Sequence, residues 1–239
     1  MAYQFESRVR YSEMDPGRKL TLTSLVDYFQ DCSTFQSEAC GHGLDYLTEQ
    51  NRVWMVLSWQ IDILRRPELG EKITVQTWPY SFKAFYGYRN FALLDEASRY
   101  LAKANSVWVF IDSLTGRPAK ILPENISGYT AEPMLDMKTS SRKMQIPPES
   151  VRREPFAVCR HHLDTNYHVN NGQYISMAEE YLPAGFETAH LQVEYRRQAR
   201  LHDIIVPMVH EEPGRVTVSL CSETGEVYAV VAFCAAALP

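Results

Sequence analysis

The sequence predicts an α+β protein built from two αββββ units in tandem. Three observations predict it. A stretch of helical period is followed by four of alternating period, the same order recurs in the second half, and short matching strings stand at the same place in each half. In the first half Leu22, Leu25, Val26 and Phe29 recur at helical spacing, and Cys32 and Phe35 extend the face. Thr21, Thr23 and Ser24 are candidate N-caps, and Gly41 and Gly43 end the pattern. Met55, Leu57, Trp59, Ile61 and Ile63 then alternate as a strand, broken by Pro67 and Gly70. Ile73, Val75 and Thr77 form a second strand. Residues 85–94 and 100–112 form two more, with a turn at Asp95-Glu96. The second half starts its helix at 171–182, with Tyr174, Ala178 and Tyr181 on one face. Strands are expected at 189–197, 203–211, 215–222 and 226–237, turning at Pro213-Gly214 and Thr224-Gly225.

The internal duplication shows in two local alignments. Asp15-Pro16-Gly17-Arg18-Lys19-Leu20 lies over Asp164-Thr165-Asn166-Tyr167-His168-Val169, each just before a helix. Arg65-Arg66 followed by Ile73 and Val75 lies over Arg196-Arg197 followed by Ile204 and Val206. A long helix followed by an antiparallel meander suggests a sheet wrapped around a central helix. Two such units can join their sheets edge to edge, which covers two exposed edges. That is a double hot-dog architecture, with one unit over 1–133 and the second over 156–239. The segment 134–155, rich in Lys, Arg, Ser and Pro, is the expected linker.

Composition excludes several classes. With 239 residues, 45% hydrophobic and 22% charged, the chain is long enough to bury a sizeable core. No apolar run approaches the roughly 18 residues of a membrane span. The N-terminal MAYQFESRVR has no apolar signal region, which argues against secretion. Five cysteines without CxxC spacing read as reduced thiols, so a cytoplasmic location is expected. A net charge of −5 argues against a dedicated nucleic-acid binder.

The densest chemistry is the run Cys159 to Asn171, where a loop meets the second helix. Asp164, Asn166 and His168 offer a carboxylate, a carbonyl-binding amide and a proton carrier, beside helix amides that suit a developing oxyanion. The first half has Asp15, Gly17 and Lys19 at those places, so only the second half keeps the set. Two other readings stand beside catalysis. These are common turn and capping residues, with Asn170 or Asn171 as the helix cap. Cys159, His161, His162 and His168 could hold a metal, though no second Cys/His cluster supports a structural zinc site.

The string Leu163-Asp164-x-Asn166-x-His168-Val169-Asn170-Asn171, then Tyr174-Ile175 and Glu194-Tyr195-Arg196-Arg197, resembles the acyl-acyl-carrier-protein thioesterases of plant plastids and bacteria. The first half is also similar, through Trp54 to Arg65, Pro67 to Gly70, Ile73 to Trp78, Val107 to Asp112 and Thr115 to Pro118. The resemblance implies two tandem hot-dog units with the site in the second. It implies hydrolysis of a fatty-acyl thioester on acyl carrier protein, without metal or organic cofactor. Asp164, Asn166 and His168 are the implied catalytic positions. After Tyr195-Arg196-Arg197 the family usually has Glu, and some members have Cys one place on. Here Gln198 and Ala199 stand there, so a cysteine nucleophile is excluded, and Gln198 can hold a water but cannot act as a base. Strand alternation would put Glu194 on the same side as Gln198.

In the implied reaction water attacks the carbonyl, Asn166 and helix-start amides polarise it, Asp164 or His168 takes the proton, and Gln198 positions the water. Direct attack by Asp164 is a second route. An acidic carrier calls for a basic face, with Arg152, Arg153, Arg196, Arg197, Arg200, Lys138, Arg142 and Lys143 as candidates. Trp78 to Phe91, with Trp54, Met55, Trp59 and Phe29, line an acyl tunnel or simply pack the core. Rival functions are acyl-CoA hydrolysis, an enoyl-thioester hydratase, which its shorter and proline-free Asn–His spacing disfavours, and a non-catalytic acyl-binding module. A monomer or a homodimer fits the duplication.

Overall fold

Thr21 opens the first long helix: in the computed structural model, which describes residues 2–236, its Oγ1 accepts the Ser24 N–H at 3.0 Å. This helix, α1 (Leu22–Ala39), buries Leu22, Leu25, Val26, Phe29 and Cys32 as the periodicity requires. Phe35 departs from the pattern and is 44% exposed. At about 100° per residue it has rotated off the stripe, and Gln36 takes the inward place. The helix ends at Cys40, after which Gly41 takes φ 74°. A short helix that sequence did not suggest, α2 (Leu44–Glu49), follows. Gly43 permits it, because a Cβ there would come within 1.9 Å of the Glu38 carboxylate that accepts the Leu44 N–H.

The chain divides into two compact units, Met1–Thr139 and Ser140–Pro239. The first contains β1 (Tyr3–Arg8), β2 (Arg52–Ile63), β3 (Lys72–Lys83), β4 (Tyr86–Asp95), β5 (Tyr100–Asp112) and the short β6 (Arg117–Pro118). The strands pair antiparallel in the order β1-β3-β4-β5-β2, with β6 on β5. The expected meander is β2 to β5, and β1 is an added strand. The expected alternation in β2 is broken by a bulge between Val56 and Ser58. Before it Val56 is inside, and after it Trp59, Ile61 and Ile63 are, so Met55 and Leu57 are only half-buried. α1 packs on β3, and Phe29 and Trp59 are fully buried against Phe91, with ring centroids 5.3 and 4.9 Å from it.

The second unit contains β7 (Val151–Arg152), β8 (Phe156–Ala157), α3 (Asn171–Glu179), β9 (Thr188–Tyr195), β10 (Ile204–Glu212), β11 (Arg215–Cys221) and β12 (Val227–Ala235). Its order is β9-β12-β11-β10-β7, again antiparallel, with β8 on β10. α3 packs on β11 and β12. β9 stops at Tyr195, two residues short of expectation, because the N–H groups of Arg196 and Arg197 both turn to the Tyr228 carbonyl, at 2.8 and 3.1 Å. Residue 237, the expected end of the last strand, lies outside the described residues.

The division between the units falls inside the 134–155 segment. Most of that segment is exposed, but it is anchored at two points. The Leu135 N–H donates to Asn90 Oδ1 at 2.9 Å, and Leu135 packs against Trp78. Met144 is 7% exposed and sits on Val230 and Ala232, with its N–H on Glu194 Oε2 at 2.8 Å. Scattered apolar residues among charged ones pin the segment to both units, which bulk composition does not reveal.

Candidate active site

Asp164 closes a tight loop ahead of α3. Its N–H donates to the His168 carbonyl at 2.8 Å, and its carbonyl accepts the Tyr167 N–H at 3.1 Å. Its Oδ1 accepts the N–H groups of Asn166 at 2.8 Å and His168 at 3.3 Å. Tyr167 turns the corner at φ 61°, a left-handed conformation that a non-glycine residue adopts only when its surroundings demand it. Leu163 and Val169 bridge the base of the loop. Asn170 then caps α3 by accepting the Gly172 N–H at 2.7 Å, and its carbonyl takes the Gln173 N–H at 3.0 Å. Of the two asparagines, Asn170 is therefore the cap. Its bonds commit helix-start amides that the sequence had suggested for a carbonyl oxygen.

Three groups remain for chemistry. Asp164 Oδ2 has no hydrogen bond among the described residues. The Asn166 carboxamide is exposed and also lacks a partner among them. His168 is half-buried, and its Nδ1 is buried without a hydrogen-bond partner in the structure. Burial pushes the His168 pKa down, the Arg200 charge pushes it further, and Asp164 partly offsets them.

The Val169 N–H donates to the Ala199 carbonyl at 3.0 Å, and His168 bridges Arg200. These bonds lay residues 198–200 beside the Asp164 loop. Gln198 is exposed there, in the loop that follows β9 and not on the strand. Alternation from Glu194 therefore does not reach it. Glu194 is only 5% exposed and is occupied by the Met144 N–H and by Arg196 Nη2, each at 2.8 Å, so it is a structural anchor.

The first unit repeats this frame bond for bond. The Asp15 N–H donates to the Lys19 carbonyl at 2.9 Å, the Arg18 N–H to the Asp15 carbonyl at 2.9 Å, and the Lys19 N–H to Asp15 Oδ1 at 3.1 Å. Arg18 takes φ 63° where Tyr167 takes 61°. The Leu20 N–H donates to the Pro67 carbonyl at 2.9 Å, and Lys19 bridges Glu68. Pro67 is thus the counterpart of Ala199, and Arg66 the counterpart of Gln198. Sequence alignment had placed Arg66 over Arg197, one residue away. That slip matters, because neighbouring extended residues point to opposite sides. In the correct register Arg66 Nη1 lies 2.6 Å from Asp15 Oδ2. The side chain at Gln198's position in the duplicated frame therefore addresses the aspartate oxygen that the loop leaves open.

Among the described residues no group of three or more His, Cys, Asp or Glu side chains is placed to hold a metal ion. His162 Nδ1, one of the candidate ligands, accepts the Cys159 N–H at 2.9 Å. Its counterpart is Glu13 Oε2, which accepts the Arg10 N–H at 2.8 Å, so it closes the turn before the loop in both units. Of the basic candidates, Arg153 pairs with Glu211, Arg196 with Glu194 and Arg197 with Glu226. Arg152 and Arg200 have no ion pair among the described residues.

Sequence reading put Tyr174 on the helix face and in the family string but gave it no part in the site; its Oη accepts the Ala199 N–H at 2.8 Å. Its partner, the exchange of Pro67 for Ala199 between the halves, shows only in the register set by the backbone hydrogen bonds.

Comparison with known proteins followed the same division. The family model for the acyl-ACP thioesterase N-terminal domain matches residues 1–129, and that for the C-terminal domain matches residues 146–232. A chloroplastic acyl-[acyl-carrier-protein] hydrolase of Cuphea viscosissima is 25% identical over 223 residues, covering 87% of this chain and 54% of its own. A chloroplastic palmitoyl-acyl carrier protein thioesterase of Gossypium hirsutum is 27% identical, covering 80% and 50%. The chain spans about half the length of these curated relatives. A solved chain from Lactobacillus plantarum, described as an oleoyl thioesterase, superposes with a TM-score of 0.86 at 27% identity over 100% of this chain and 97% of its own. An acyl-ACP thioesterase from Bacteroides thetaiotaomicron shares the fold, with a TM-score of 0.89 at 22% identity over 98% and 97%. The architecture is the double hot-dog.

Proposed function

The chain belongs to the acyl-ACP thioesterase family, and from that premise we propose that it hydrolyses fatty-acyl thioesters of acyl carrier protein and releases the free fatty acid. The observation that carries the reading is the exchange of side chains on a common frame. Gly17, Lys19 and Arg66 of the first unit become Asn166, His168 and Gln198 in the second, around an aspartate held the same way. An ion pair fills the first frame. The second offers an amide, an imidazole and a second amide instead.

In the proposed reaction a water attacks the thioester carbonyl carbon. The Asn166 carboxamide donates to the carbonyl oxygen as charge builds there. The water donates one hydrogen to Asp164 Oδ2 and the other to His168, while its oxygen accepts from Gln198 Nε2. His168, kept neutral near pH 7 by burial and by Arg200, takes the proton and returns it to the thiolate as the C–S bond breaks. The reaction draws on no metal or organic cofactor. The acidic carrier is met by Arg152 and Arg200, which have no ion pair among the described residues. We place the enzyme in fatty acid biosynthesis in the cytoplasm, as a monomer or a homodimer. No helix among the described residues is long and apolar enough to cross a membrane.

The test is thiol release from a panel of acyl-carrier-protein and acyl-CoA thioesters. Wild type is compared with Asp164→Asn, Asn166→Ala and Gln198→Glu. Turnover on carrier-linked substrates is expected, lost with Asp164→Asn and lowered about 10²–10³-fold by Asn166→Ala. Gln198→Glu is expected to be faster, because a carboxylate can take the water's proton where an amide only orients it. Near-normal turnover by Asp164→Asn would sink the site assignment. Preference for acyl-CoA would move the partner, and binding without thiol release would make the protein a non-catalytic acyl-thioester binding module.

A further inference from the structure

Tyr174 is 2% exposed, yet its hydroxyl is turned to a single backbone amide. That amide belongs to Ala199, itself fully buried and directly after Gln198. Without the Tyr174 oxygen the Ala199 N–H would be an orphan donor in the interior, a state that folded proteins avoid. The first unit meets the same requirement differently. Ala199's counterpart, Pro67, has no N–H to satisfy. Tyr174's counterpart four residues past the helix cap is Leu25, also 2% exposed and without a hydroxyl. The two positions change together between the units, Pro with Leu and Ala with Tyr. The residue before them changes too, from Arg66 to Gln198.

We infer that Tyr174 is a positioning residue: through the Ala199 amide it sets where Gln198 stands against the Asp164 loop. The inference rests on the thioesterase reading of that loop. In the first unit the proline ring holds the chain covalently, fixing its own φ and keeping the preceding Arg66 extended. In the second unit a hydrogen bond takes over, and the Gln198 side chain has no other anchor among the described residues. Burial holds the Tyr174 proton well above the ordinary phenol range, and the charges of Asp203 and Asp164 add to this. The phenol therefore stays neutral throughout the working pH range.

Tyr174→Phe removes only the oxygen. It is expected to lower kcat about tenfold or more while KM changes less than about twofold. Amide hydrogen exchange across 196–200 should quicken. Tyr174→Leu combined with Ala199→Pro copies the first unit, and it should recover most of the kcat that Tyr174→Leu alone loses. Ala199→Pro alone drives a ring carbon into the Tyr174 oxygen and should be worse than the pair. Wild-type kcat and wild-type exchange in Tyr174→Phe overturn the inference, and so does a double variant no better than Tyr174→Leu. The same assays include wild type and Asp164→Asn. If wild type releases no thiol from any thioester, the thioesterase reading fails, while exchange across 196–200 still decides whether Tyr174 holds the loop.

Discussion

His168 shows how a single side chain is tuned by its neighbours. Burial and the Arg200 charge both disfavour its protonated form, and Asp164 only partly compensates. If neutral His168 is the base, kcat/KM should fall only as pH drops below the ordinary histidine value of 6.5. Arg200→Gln removes one depressing charge, so the acid limb should move to higher pH. A pH–rate profile of the two proteins checks this. An acid limb in the carboxylate range that ignores Arg200→Gln would give the base role to Asp164. The residues Asp164, Asn166 and His168 were legible because all three lie within one loop. Gln198's place was legible only in part, since aligning the halves by residue type put it one position out.

At the scale of elements, caps and buried charges set the stability of the two helices. Asn170→Ala leaves the Gly172 N–H uncapped and should cost about 1 kcal/mol in a urea melt. α1 carries the opposite defect. Burial above all, with the Asp31 and Glu13 charges beside it, raises the Asp27 pKa to about 6. Its unfolded value is 3.8, so the folded state prefers the protonated acid. That preference stabilises at low pH and is lost as pH rises through about 6, leaving a half-buried charge above it. Asp27→Asn should therefore stabilise by about 1–3 kcal/mol at pH 8 and by almost nothing at pH 3, read from melts at both. The helices and most strands were legible from period alone. The β2 bulge was not, because an unpaired residue leaves the composition unchanged while reversing the faces. β1 escaped notice because its six residues carry only two aromatic inward positions and no branched aliphatics.

For the whole molecule, the segment between the units is the part most easily misjudged. Glu194 holds it by accepting the Met144 N–H and pairing with Arg196, and it is almost wholly buried. Glu194→Ala leaves the Met144 amide without its acceptor and Arg196 with the Met144 carbonyl alone, at a cost of about 2–4 kcal/mol. Limited proteolysis should then cut within 140–146 well before wild type is cut there. Equal cutting rates would show that the segment is held without Glu194, by Met144 packed on Val230 and Ala232 and by the bonds from Gln192 and Arg196 to the Ser141 and Met144 carbonyls.

The sequence by itself determined the duplicated helix-and-meander plan, the family and the Asp164 loop. Each of these is written in local spacing: helical and strand periods, turn residues, and three candidate side chains within five positions. Only the tertiary structure decided which residues of distant loops meet. Hydrogen bonds from Leu20 to Pro67 and from Val169 to Ala199 fix a register that similarity of residue type had set one place wrong. The same pairing showed why a buried tyrosine accompanies the alanine. A backbone donor must find an acceptor wherever the fold buries it, and that partner is chosen in space rather than along the chain.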